Sequence, residues 1–201
     1  MLMNKPLALK LTPNSIDEVI GQKHLLGEGK ILRNLVENKK IFSMILYGKP
    51  GIGKTTIATA MVKDLGVRYR FLNATINNKK DFDVVVEEAK MYDGIVLIMD
   101  EIHRLNKDKQ DLLLPQLESG LITLIGMTTS NPYFKINPAI RSRCQIFELQ
   151  DLGISDHAKQ LTLQLYHYSG TTGKTVSYEQ KESEDAYIEE IGTVYDEGQA
   201  P

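Results

Sequence analysis

The sequence predicts an α/β fold of three layers, a parallel sheet sandwiched between helices. Three observations carry that prediction. Short apolar runs alternate with helix-like segments from Ser43 to Leu149. The runs lack the polar alternation of a sheet with one wet face, so they belong in a sheet covered on both sides. Several of them end in glycine-rich or polar corners, which the βαβα order gathers at the carboxyl ends of the strands.

The elements follow in order. Ser43 to Tyr47 reads as the first strand, residues 48 to 55 as a glycine-rich loop, and Thr56 to Val62 as a helix. Tyr69 to Leu72 is the second strand, ending before Asn73. Asp81 to Lys90 is a helix with valines and an alanine on one side and Glu87, Glu88 and Lys90 on the other. Gly94 to Met99 is a fully apolar third strand that stops at Asp100 and Glu101. Asp108 to Glu118 is the next helix, Leu121 to Gly126 the fourth strand, Thr128 to Asn131 a polar corner, and Gln145 to Leu149 the fifth strand. Ser155 and Asp156 suit the start of a further helix through Ala158, Leu161 and Leu165. Residues 169–201 mix repeated Glu and Asp with scattered tyrosines but sustain no apolar period, which fits either a disordered tail or an attached hairpin. The expected organisation is therefore a core over 1–150, a short helical segment over 151–168 and a divergent acidic tail over 169–201.

Composition narrows the function classes. The 201 residues carry 24 basic and 26 acidic side chains and are 42% hydrophobic, enough for a real core and not a polybasic protein. Charge is unevenly spread: residues 1–150 carry net +5 and residues 151–201 net −7, with no arginine after Arg143. The single cysteine, Cys144, excludes an internal disulfide and a cysteine-rich zinc site. No run approaches the ~18 apolar residues of a membrane span, and no signal segment is visible at the start, so a cytoplasmic, membrane-free protein is expected.

The chemistry-bearing residues cluster at the predicted strand ends. Gly48-Lys-Pro50-Gly51-Ile52-Gly53-Lys54-Thr55 fits a phosphate-binding loop between a strand and a helix. In such a loop glycines let backbone N–H groups curl around phosphate, the lysine reaches the β and γ phosphates, and the threonine holds magnesium. Gly170 to Thr175 ends in a similar Gly-Lys-Thr but has Tyr168 in place of the first glycine, and reads as coincidence. Asp100 and Glu101, at the end of an apolar strand, supply a carboxylate for magnesium and a second one to activate water. As a bland alternative they would cap the turn before Ile102. His103 reads as a polar loop residue packing near the site, since Glu101 already fills the role of base. Thr128, Thr129 and Asn131 end the next strand, where a hydroxyl or amide would lie near the γ-phosphate. Arg141 and Arg143 suit either a surface salt bridge or a guanidinium aimed at a neighbouring subunit's phosphoryl group.

These residues together carry a resemblance. The phosphate loop, Asp100-Glu101-Ile-His-Arg104, the Thr128-Thr129 corner and Ser142-Arg143-Cys144 resemble AAA+ ATPases of the clamp-loader branch. Five further segments narrow it: Ile20 to Leu26, Leu72-Asn-Ala74, Lys79-Lys80-Asp81, Leu113 to Glu118, and Asn131-Pro-Tyr-Phe134 with Asn137 to Arg141. They are similar to the replication-associated recombination protein A family, which includes the Werner-helicase-interacting ATPases, over about residues 5–150. The resemblance implies an AAA+ core of the P-loop NTPase class. It also implies an ATP- and Mg2+-dependent ATPase that forms homo-oligomers and acts at stalled replication forks with single- or forked-stranded DNA and single-strand-binding protein, in the nucleoid. By position it implies that Gly48, Pro50, Gly51, Ile52, Gly53, Lys54, Thr55 and Thr56 bind the phosphates, that Thr55 and Asp100 hold magnesium, and that Glu101 activates water. It further makes Thr129 the sensor residue, Arg143 an arginine finger acting in trans, and Ile20 and Gly21 the flank of the adenine. Asn73 matches the place where some AAA+ proteins restrain the catalytic glutamate.

The chain departs from the family at Thr12, which stands before Pro13 where arginine is common, at Lys49 and at its C-terminal end. Lys49 stands where proline is usual in the loop, adding a cation beside the phosphates. The family continues into a helical lid with a sensor arginine, and no arginine after Arg143 can fill that role here. An incomplete lid and an apparently truncated chain are the expectation, with hydrolysis affected more than binding. Two other functions compete: an ATP-binding module that does not hydrolyse and assembles with other chains, and a clamp-loader subunit or Holliday-junction branch-migration ATPase.

Overall fold

A computed structural model describes residues 12–153, residue 156 and two short strands at 176–177 and 195–196. Residues 13–152 form one compact unit, and it holds the sheet. A 3-10 turn at Ile16–Glu18 leads into helices α1 (Lys23–Leu26) and α2 (Ile31–Glu37), then strand β1 (Met44–Tyr47) and helix α3 (Lys54–Leu65). Strand β2 (Tyr69–Asn73), helix α4 (Lys79–Met91), strand β3 (Ile95–Asp100) and a second 3-10 turn (Ile102–Arg104) follow. Helix α5 (Lys107–Glu118), strand β4 (Ile122–Thr128), the one-turn helices α6 (Pro132–Lys135) and α7 (Pro138–Arg141), and strand β5 (Gln145–Glu148) complete the unit.

The five strands pair in the order β2-β3-β4-β1-β5, all parallel. Alternate residues of each central strand feed two separate cores. Met44, Leu46, Ile98, Ile125 and Met127 pack with Ile57 and Met61 of α3 and Leu32 of α2, whereas Ile45, Leu97 and Leu124 pack with Phe82 of α4, Leu113 of α5 and Ile140 of α7. β3, β4 and β1 are almost wholly buried, as a strand covered on both faces must be, while the edge strands β2 and β5 are not. Each fully buried leucine or isoleucine contributes about 1.5–3 kcal/mol. Cys144 is partly buried against this second core, and that burial pushes its thiol up to about 12, so it stays protonated.

Five expected strands are present in the expected order, with ends shifted by a residue or two. Helix α4 begins at Lys79, two residues before the expected start. The Asn78 side chain accepts hydrogen bonds from the Lys80 and Asp81 amides while the Asp81 carboxylate accepts one from the Asn78 amide, a reciprocal cap that fixes the first turn. Between β4 and β5 there is no full crossover helix; Asn131 and Asn137 each cap a one-turn helix opened by proline. The N-terminal helices α1 and α2 are elements the sequence reading did not assign. The helix expected through Ala158, Leu161 and Leu165 lies outside the described residues. In the acidic tail, strands β6 (Val176–Ser177) and β7 (Tyr195–Asp196) form an antiparallel pair, and the rest of 169–201 lies outside the described residues. No helix among the described residues is long and apolar enough to cross a membrane.

Candidate functional site

Parallel pairing brings the carboxyl ends of all five strands to one edge, and the register fixes which ones adjoin. Tyr47 faces Thr128, Met99 faces Gly126, and Asn73 faces Asp100. The Gly48 amide then donates to the Thr128 carbonyl at 3.3 Å, so the loop after β1 starts against the end of β4.

That loop turns through two left-handed glycines, Gly51 (φ +76°) and Gly53 (φ +101°), before α3 begins. A side chain at Gly48 would press on Leu149, its Cβ 3.1 Å from the carbonyl oxygen, so the loop leaves β1 close against the chain after β5. No side chain caps the twelve-residue α3, and the amides of Gly51 to Thr56 bond to no other described residue. A helix start with a row of free N–H groups and the positive end of the helix dipole is an anion site. Lys54 is buried beneath it, and its Nζ donates to the carbonyls of Gly48 and Lys49, both at 2.7 Å. Burial pulls its pKa below the usual lysine value, with Asp100 and Glu101 opposing. Thr55 is exposed at the first turn. Lys49 bends away to an ion pair with Asp151, both exposed, so the added cation is already matched.

Asp100 ends β3 on the face that carries Val96 and Ile98, the α3 side of the sheet. Its Oδ1 accepts from the Glu101 amide at 2.9 Å and its Oδ2 from Asn73 Nδ2 at 3.3 Å. Asn73 therefore reaches Asp100; its Oδ1 is taken by the amide and hydroxyl of Thr75. Glu101 has left-handed backbone (φ +51°), rare for a residue with a side chain, and its carboxylate caps nothing in the turn it opens. The turn sits flush on β4 because residue 126 is glycine: a Cβ there would lie 2.8 Å from Ile102 Cδ1.

Thr129 follows β4 and is exposed, whereas Thr128 is buried and bonded to His103 at 2.9 Å. Arg143 pairs with Glu118 of α5 and donates to the Ala139 carbonyl at 2.7 Å; Arg141 donates to the Tyr133 carbonyl and lies over that ring, 5.4 Å from its centroid. Ile20 and Gly21 precede Gln22, which is buried and left-handed. The Gln22 amide clamps the backbone of Gln150 in both directions, Nε2 to the carbonyl at 2.6 Å and Oε1 from the amide at 3.0 Å, and His24 Nε2 lies 2.9 Å from the Glu148 carbonyl. The segment is thereby held against the end of β5. Gln22 is a residue that sequence reasoning quoted without giving it a role; a buried glutamine carries no local signal of a partner 128 positions away.

A magnesium ion bound with nucleoside phosphates needs only one or two protein oxygens, the remaining positions going to phosphate and water. The Thr55 hydroxyl at the start of α3 and the Asp100 carboxylate at the end of β3, separated from β1 by β4, fit that requirement, beside the free amides that fit the phosphates. The profile of the AAA family, ATPases associated with various cellular activities, matches residues 44–152. Over 148 residues the chain is 59% identical to replication-associated recombination protein A of Bacillus subtilis, covering 74% of this chain and 35% of that protein. Over 151 residues it is 40% identical to ATPase WRNIP1 of Dictyostelium discoideum, covering 73% and 17%. The chain thus spans about a third or less of the length of these relatives. Among solved structures it superposes on the RuvB Holliday junction branch migration motor of Thermotoga maritima with a TM-score of 0.67 at 26% identity, over 79% of this chain and 55% of that one.

Proposed function

The chain belongs to the AAA family of ATPases, and from that premise we propose that it binds ATP with magnesium and hydrolyses it in DNA replication, recombination and repair. The observation that supports this best is the meeting, at one sheet edge, of an open phosphate loop with the adjacent carboxylates Asp100 and Glu101. The 59% identity to a protein named for replication-associated recombination supports the setting in which the activity is used.

The amides of Gly51, Ile52, Gly53, Lys54, Thr55 and Thr56 take the phosphate oxygens of ATP, with Gly48 and Pro50 shaping the entry to the loop. Lys54 turns its ammonium from the carbonyls of Gly48 and Lys49 towards the β and γ phosphates. Ile20 and Gly21, anchored through Gln22, flank the base. Thr55 and Asp100 hold magnesium, whose charge neutralises the phosphates. Glu101 takes a proton from the attacking water, and Thr129 orients that water or the γ-phosphate. Arg143 leaves Glu118 to stabilise the phosphoryl charge in a neighbouring copy, which makes the active form a homo-oligomer. Single-stranded or forked DNA and single-strand-binding protein are the proposed partners, in the cytoplasm on the nucleoid. Greater identity to the recombination protein than to the branch-migration motor favours this reading over a clamp-loader or RuvB-type role.

Steady-state ATP hydrolysis by the 201-residue chain, with and without single-stranded DNA and with nucleotide binding measured in parallel, tests the proposal. Turnover should rise with DNA, and Glu101→Gln should lower it about 100-fold or more while ATP still binds. Tight binding with no turnover in any condition would make the chain a nucleotide-binding assembly module. Such a result is the one that the lack of an arginine after Arg143 would explain.

A further inference from the structure

His103 lies two residues beyond Glu101 and its ring folds back upon it. Nδ1 is 3.3 Å from Glu101 Oε2 and 2.9 Å from Thr128 Oγ1, with the ring only 10% exposed. Glu101 belongs to the end of β3 and Thr128 to the end of β4, so one nitrogen bridges two strands. The neighbours of Nδ1 favour one place for its proton. A carboxylate only accepts, so a hydrogen on the nitrogen 3.3 Å from Glu101 is the arrangement that attracts rather than repels it. Thr128 Oγ1 then accepts from His103 and from the Ser130 amide at 3.0 Å, and donates its own proton to the Ser130 carbonyl at 3.2 Å. Both lone pairs and the single proton of the hydroxyl are then used. Burial lowers the His103 pKa, consistent with a neutral ring.

We propose that His103 is a positioning residue for Glu101: protonated on Nδ1, it ties the carboxylate after β3 to the buried Thr128 hydroxyl at the end of β4. The inference rests on Glu101 being the group that activates water. Glu101 occupies a backbone conformation that side chains disfavour, and its carboxylate has no other polar partner among the described residues. The bridge holds it there. Because Thr128 also bonds Ser130, in the corner that includes Thr129, the same bridge links the carboxylate to the backbone of that corner.

The test uses the full chain and five variants, with ATP binding and single-turnover hydrolysis measured for each. His103→Ala should keep its ATP affinity within about twofold and lose roughly tenfold in kcat, the worth of one hydrogen bond near a charge. His103→Asn places an amide N–H where Nδ1 stands and should recover most of that loss. Thr128→Val should lower kcat as well, and combining it with His103→Ala should add little, since both cut one chain. Wild-type turnover in His103→Ala, or no recovery in His103→Asn, would overturn the positioning role. Undiminished turnover in Glu101→Gln would instead overturn the reading of the site. Long-range proton–nitrogen NMR of the imidazoles, assigned by the peaks that vanish in His103→Asn, reads the bridge whether or not ATP turns over. Protonation at Nδ1 is expected, and a ring protonated only at Nε2 would refute the bridge.

Discussion

After β1 the chain leaves the amides of Gly51 to Thr56 without partners among the described residues, whereas at the ends of β3 and β4 the side chains of Asp100, Glu101 and Thr128 each have one. Asp100 is held by Asn73 and the Glu101 amide, and Thr128 by His103 and Ser130. The two halves of the site are opposites in this respect. A surface that receives phosphate must keep its donors free, because donors spent on the protein cannot be spent on a ligand. A carboxylate that activates water must instead be aimed, and aiming is done by matched neighbours. Binding and hydrolysis should accordingly separate under mutation.

The sharpest break should come at Lys54, where the open half keeps its one buried ammonium. Lys54→Ala should weaken ATP binding on the order of 100-fold, since hydrogen bonds to charged groups contribute about 1.5–3 kcal/mol each. Calorimetric titration with ATP measures it, and unchanged affinity would remove the phosphate role. A smaller effect is expected at the end of β5. Gln22→Ala strands the Gln150 amide and carbonyl, and should cost about 1–3 kcal/mol of stability. A thermal melt that matches the wild-type chain would show that the clamp carries no free energy. The smallest effect is in pH. His103 is held below its ordinary value of about 6.5 by burial, with Glu101 and Asp100 opposing and Arg104 and Lys135 adding. The unfolded chain therefore binds a proton that the folded chain resists, so stability falls as pH drops through about 6.5. Melting midpoints at pH 7.5 and pH 5.5 should fall less in His103→Asn than in the wild-type chain; equal falls would place the titration elsewhere.

The open half was the legible half. A glycine-lysine-threonine loop is a local pattern, and five apolar runs state where a doubly covered sheet must lie, so the loop, the strands and Asp100-Glu101 could be placed from sequence. Of the matched half only the Asp100-Glu101 pair was legible, because the contacts that aim it join residues far apart in the chain. His103 to Thr128 spans 25 positions and Gln22 to Gln150 spans 128. Nothing in the spacing of a histidine and a threonine says which of two adjacent threonines will be buried beside it. The sequence reading gave the sensor role to Thr129, and the exposed Thr129 next to a buried, bonded Thr128 is a distinction only strand pleat makes. The short helices at α6 and α7 escaped for another reason: one turn is too little chain to show a period.

Glu101 carries a further consequence through its left-handed backbone. A residue with a Cβ held there stores on the order of 1 kcal/mol that glycine would not. An evolutionary or laboratory search that rewarded only resistance to heat would therefore drift towards glycine at 101 and, on the reading above, discard the very carboxylate that turns the site over. Thermostability engineering across residues 100–103 would on that reading trade activity for durability.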